Sequence, residues 1–126
     1  MSQALGTVYK QREIVLVPFP YSDLSSVKRR PVLIISNDKY NEQYKDVLVC
    51  VITSKIYQDN YSVEISNEEL EYGFLAEPSC IKAHKIFLVN KSLIIKKFSV
   101  LSKKCFFEVV HIINNLIKIE SQQNIK

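Results

Sequence analysis

The chain is poor in the residues that break or staple a fold. It has 2 glycines, 4 prolines and no tryptophan among 126 residues. So little glycine and proline excludes a collagen-like or linker-like chain, and with 47% apolar residues it also excludes extended disorder. No apolar run approaches the roughly 18 residues that a membrane-spanning helix needs. The first ten residues are polar and lack an apolar core segment of the secretory kind, so the expected compartment is the cytoplasm. The 3 cysteines, Cys50, Cys80 and Cys105, lie far apart without C-x-x-C spacing, which removes a zinc ribbon and a redox motif. They read as small core hydrophobes. His84 and His111 complete no recognisable ligand set with them, so neither metal nor cofactor is expected.

What is present fits one domain spanning residues 1–126. A chain of this length buries roughly two-thirds of its unfolded surface, enough for a core without staples. Its net charge of +4 is modest but unevenly laid out. Every charge from Asp59 to Glu77 is negative, and every charge from Lys82 to Lys104 is positive. A second basic cluster is Lys28, Arg29 and Arg30. Clustered cations draw polyanions through counterion release, although a solvated basic face has the same composition.

The apolar periodicity is that of strands followed by a helix. Glu13 to Phe19 is an apolar, β-branched run closed by Pro18 and Pro20, which suggests a strand buried on both faces. Pro31 to Ser36 and Val47 to Thr53 repeat the pattern, and Tyr21 to Arg30 reads as a polar loop. The connector from Asn37 to Asp46 holds turn-forming and capping residues and can contain a short helix. Tyr61 to Ile65 alternates as a half-wet strand does. Cys80 to Val89 is strand-like, but its parity changes near His84 and Lys85, which predicts a bulge there. Phe106, Val109, Val110, Ile113, Leu116 and Ile117 then follow helical spacing, opposite Lys104, Glu108, His111, Asn115 and Lys118, with Ser102 as N-cap. The expected architecture is α+β, a small antiparallel barrel carrying one amphipathic helix.

Two stretches carry possible chemistry. In the first, Lys28-Arg29-Arg30 runs into Pro31, which restricts Arg30 to extended backbone angles. A guanidinium on a fixed base suits phosphate, because its donor fork meets two oxygens at once. In the second, Thr53, Ser54 and Lys55 appear where a very apolar strand emerges, the kind of place where a scaffold presents working groups. Either stretch, taken alone, is also an ordinary strand flank or turn start.

Together they resemble the PemK/MazF family of bacterial toxins. The matching residues are Arg12 to Leu24 (REIVLVPFPYSDL), Lys28 to Ser36 (KRRPVLIIS), Asn41, Val51 to Ser54 (VITS) and Gly73 to Ser79 (GFLAEPS). Their order and spacing agree with the family over nearly the whole chain. The resemblance implies an SH3-like barrel of the CcdB/Kid/MazF type and an endoribonuclease that cuts single-stranded RNA without a metal, leaving 2′,3′-cyclic phosphate and 5′-OH ends. It implies that Arg30 stabilises phosphoryl charge and that Thr53 positions the scissile group. Lys28, Arg29, Ser54 and Lys55 become substrate-binding candidates, and Asp23 and His84 candidate acid/base groups. A homodimer and a cognate antitoxin are the implied protein partners.

The sequence departs from the family on a late strand, where many relatives carry Gln-Ile-Arg-Thr before an acidic residue. Here the run is Lys85-Ile86-Phe87-Leu88, followed by Asn90. That departure keeps open a second possibility, a non-catalytic module of the same fold that binds a protein or nucleic-acid partner, as related gyrase-poisoning toxins do.

Overall fold

The computed structural model describes residues 7–19 and 28–121. The strands are β1 (Glu13–Phe19), β2 (Lys28–Ile34), β3 (Asp46–Thr53), β4 (Ser62–Ile65), β5 (Leu70–Gly73), β6 (Ser79–Asn90) and β7 (Lys96–Leu101). Helix α1 (Asp38–Gln43) lies between β2 and β3, and α2 (Lys103–Ile117) follows β7. All seven strands join one antiparallel sheet in the order β4-β6-β3-β2-β1-β7-β5. The ladder shifts register between Ile14 and Val15 in β1 and between Cys50 and Val51 in β3. Such bulges sharpen local twist, which lets a single sheet curl.

The central strands are apolar on both faces because each face has its own core. Ile14, Leu33, Cys50 and Ile52 pack with Ile81, Leu101, Cys105, Phe106 and Val109 under α2. The alternate residues Val15, Val17, Val32, Ile34, Val47 and Val49 pack with Tyr9, Val89 and Ile94 on the other side. Each such fully buried aliphatic side chain contributes about 1.5–3 kcal/mol of transfer free energy. The expected double-sided burial of β1, β2 and β3 thus takes the form of two cores back to back. All three cysteines are buried free thiols, and Cys50 and Cys105 belong to the first core.

Helix α1 begins at Asn37, whose side chain accepts the Tyr40 N–H at 2.9 Å. Asn41 is buried and exchanges hydrogen bonds with Ser36: the Ser36 hydroxyl donates to Asn41 Oδ1, and Asn41 Nδ2 donates to the Ser36 carbonyl. The Leu48 N–H donates to the same hydroxyl, so this pair locks the β2–β3 crossover that leads into the site strand.

Two expectations need correction. Lys28, Arg29 and Arg30 belong to β2 rather than to a loop, since they pair with Phe19, Pro18 and Val17 across β1. Ladder hydrogen bonding reaches further than the apolar run that announced the strand. Helix α2 is capped by Ser102 and buries Cys105, Phe106 and Val109, but Leu116 and Ile117 are exposed. The helix packs on β6 and β4. Among the described residues no helix is long and apolar enough to cross a membrane.

Candidate functional site

The pairing of β2 with β3 sets Val32 against Val51, Leu33 against Cys50 and Ile34 against Val49. The same register carried two residues further puts Arg30 opposite Thr53. Alternation then fixes the face: Val32 and Ile34 point into the second core, as does Val49, so Arg30 and Thr53 lie on that face where the core ends. Both line a cleft of about 510 Å³ at the rim of the sheet, together with Tyr57, Lys82, His84 and Lys85. Val51, Ile86 and Phe87 supply its apolar wall. Arg30 and Thr53 also line an adjoining hollow of about 320 Å³, to which Arg29, Ser54 and Glu77 contribute.

Thr53 is both a strand end and a candidate working group. Its Oγ1 accepts the Lys55 N–H at 3.2 Å, which orients the hydroxyl and leaves its proton available to donate. Arg30 is half-buried on a paired strand and precedes Pro31, so its base is held by the ladder as well as by the proline.

His84 reaches the cleft through the bulge that its parity break predicted. β6 pairs Ile86 with Cys50 and then Lys82 with Val51, which leaves Ala83, His84 and Lys85 bowed out of register. The imidazole tilts against Tyr61 with ring centroids 5.3 Å apart. Its Nδ1 is buried and has no hydrogen-bond partner among the described residues.

Lys82 escaped the sequence reading, in which it was one cation in a basic run. Its side chain is 7% exposed, with Nζ 3.6 Å from Asp59 Oδ2 and 3.4 Å from the ring centroid of Tyr57. The one available signal was position: Lys82 stands between Ile81 and Ala83, so alternation alone places it on the face of Val51 and Thr53.

Asp59 ionises below the ordinary carboxylate range. The cause is first the Tyr61 N–H, then the Ser62 hydroxyl, with the Lys82 charge adding to both.

Of the other expected residues, Arg29 and Ser54 line the adjoining hollow. Lys28 and Lys55 are exposed and line neither cavity, although Lys55 Nζ lies 5.4 Å from the centroid of Tyr57. Asp23 falls outside the described residues. Among the described residues no group of three or more His, Cys, Asp or Glu side chains is arranged to hold a metal ion.

A curled seven-stranded antiparallel sheet with a C-terminal helix, and a cationic cleft where β2, β3 and β6 meet, defines the MazF/CcdB-like fold. The solved structures agree. MazF from Deinococcus radiodurans superposes with a TM-score of 0.72 at 18% identity, covering 90% of this chain and 100% of that one. The Mycobacterium tuberculosis toxin MazF-mt6 gives 0.68 at 19% identity, covering 82% and 94%. A mycobacterial endoribonuclease in complex with its cognate antitoxin gives 0.67 at 13% identity, covering 86% and 93%. No curated protein matches the chain. The family model for the PemK-like, MazF-like toxins of type II toxin-antitoxin systems matches residues 10–117, and the chain belongs to that family.

Proposed function

We propose that this chain, acting as a single domain in the cytoplasm, is an endoribonuclease that cuts single-stranded RNA at the Arg30–Thr53 cleft. The observation that carries it is the convergence of Arg30, Thr53, Lys82 and His84 on one cleft. Cleavage without a metal has three requirements: the ribose 2′-OH proton must be removed, charge on the crowded phosphorus must be balanced, and the departing 5′ oxygen must be protonated. In this reading His84 takes the 2′ proton as the new O2′–P bond forms and the P–O5′ bond breaks. A second group returns a proton to the 5′ oxygen, for which Asp23 and the Lys82 ammonium are the candidates. Arg30 and Lys82 face the phosphoryl oxygens, and the Thr53 hydroxyl donates to one of them and fixes its position. The products are a 2′,3′-cyclic phosphate and a 5′-OH. Arg29 and Ser54 extend the phosphate track into the adjoining hollow, and Lys28 and Lys55 add charge at its ends.

Two protein partners complete the proposal. Ile86, Leu88, Leu93 and Ile95 are exposed, and Ile86 also lines the cleft. A second copy covering this strip would wall the cleft from the open side, as expected for a homodimer. Similar solved structures include MazE–MazF from Deinococcus radiodurans and the mycobacterial endoribonuclease with its antitoxin. A cognate antitoxin that blocks the cationic cleft is proposed here by likeness to them.

One observation favours a different reading. Phe87 lines the cleft where many relatives carry an arginine, which fits a module that binds a partner without cutting RNA. The deciding experiment incubates the purified chain with long single-stranded RNA in EDTA. Fragments ending in cyclic phosphate support the nuclease. Intact RNA together with tight binding to another protein, gyrase included, supports the module.

A further inference from the structure

Asp59 lies on the connection between β3 and β4, outside the Arg30–Thr53 pair, and its two carboxylate oxygens have separate tasks. Oδ1 accepts the Tyr61 N–H at 2.8 Å, which closes the turn that leads into β4. Oδ2 lies 3.6 Å from Lys82 Nζ. Two residues earlier, Tyr57 sets its ring 3.4 Å from the same ammonium. A buried ammonium is costly unless it is paired, and a lysine stem is flexible enough to carry it elsewhere. One loop therefore supplies Lys82 with both a counter-charge and a π face. The Tyr61 N–H first, then the nearby Ser62 hydroxyl and the Lys82 charge, hold the Asp59 carboxyl below its ordinary range, so it stays ionised at neutral pH.

We propose that Asp59 is a positioning residue: through its ion pair, and with Tyr57 as second support, it fixes the Lys82 ammonium at the wall of the cleft where the RNA phosphate is processed. The inference rests on the nuclease reading and adds a role outside the reacting groups. Asp59 opens the acidic stretch of the chain and Lys82 opens the basic one. The first residue of each is joined to the other across β4 and β6.

Asp59→Asn separates the two tasks, because the amide oxygen still accepts the Tyr61 N–H while the charge is lost. The full chain is compared with D59N, K82M and the double variant on a short RNA substrate. D59N is expected to lower kcat about fivefold or more while KM moves less than about twofold, as for a contact that acts on the transition state. In the K82M background the same change is expected to cost nothing further. Tyr57→Leu, which removes the π face, is expected to fall as D59N does. A readout independent of activity is acetylation of the Lys82 amine followed by mass spectrometry, which speeds up several-fold in D59N. An active wild type with an indifferent D59N overturns the inference alone, as does a D59N loss of the same size in K82M. A wild type that leaves RNA intact overturns the nuclease reading and this inference with it.

Discussion

Arg30 on β2 and Thr53 on β3 both line the cleft and the hollow beside it, two residues beyond the Val32–Val51 pair of the β2–β3 ladder. They are far apart in sequence, and what joins them is the antiparallel register together with the alternation that turns both to one face.

The first prediction concerns this pair. Arg30→Ala and Thr53→Ala are each expected to lower single-turnover RNA cleavage by about 10²–10³, the usual cost of removing one donor that meets developing charge. Thr53→Ser keeps the hydroxyl and stays within about tenfold of wild type. Far-UV circular dichroism is expected to be unchanged, since neither side chain belongs to a core cluster. Wild-type cleavage rates in both alanine variants would remove the pair from the chemistry.

His84 offers a sharper separation of structure from catalysis. Among the described residues its Nδ1 has no hydrogen-bond partner to orphan, so His84→Ala loses chiefly its ring contact with Tyr61, about 0.5–1.5 kcal/mol. In the proton-transfer role proposed for it, His84 would carry about 10²–10⁴ in rate. The variant is expected to keep a melting temperature within a few degrees of wild type while cleavage collapses. A large fall in melting temperature with cleavage preserved would make His84 a structural residue.

Gly73 ties the edge of the sheet to the site. Its φ of +93° is a region L side chains rarely adopt, and an added Cβ would meet the Phe98 carbonyl and Ser99, with Ser99 Cα at 2.6 Å. Gly73→Ala is expected to destabilise by about 2–4 kcal/mol, combining the left-handed penalty with a forced backbone shift. Urea unfolding measures it. Leu75, Glu77 and Ser79 follow directly and line the hollow beside Thr53, so activity is expected to fall with stability.

Where an element's burial is decided by its own residues, the sequence showed it. β1 matches its expected limits, β3 differs by a single residue, and the His84 bulge followed from parity alone. β5 passed unnoticed because Leu70–Gly73 has only one half-buried side chain and is a strand only by pairing with β7. β7 begins Lys96-Lys97, which reads as part of a basic run until β1 takes up its hydrogen bonds. At the site, Arg30 and Thr53 were legible through the family resemblance. Lys82 was not, because its burial is made by Tyr57 and Asp59, which reach it from another strand connection.

The last prediction is a pH dependence of stability. Burial pushes the Cys50 thiol from its ordinary 9.0 up to about 12. Cys105 also rises to about 12, by burial first and then through the charges of Glu108 and Glu69. The Tyr9 phenol is raised as well, chiefly by burial. In the unfolded chain a thiol gives up its proton near pH 9, whereas in the folded chain these two keep theirs until about pH 12. Between those limits the unfolded state binds fewer protons, so stability is complete below pH 9 and declines as pH rises toward 12. Cys50 alone contributes a slope of up to about 1.4 kcal/mol per pH unit within that window. Urea midpoints at pH 8 and pH 10.5 are therefore expected to differ, and Cys50→Ala is expected to lie lower at pH 8 but to lose less on the way up. Parallel pH slopes for wild type and C50A would show that the thiol ionises as easily folded as unfolded, which a side chain packed between Leu33 and Ile52 in the first core has no means to do.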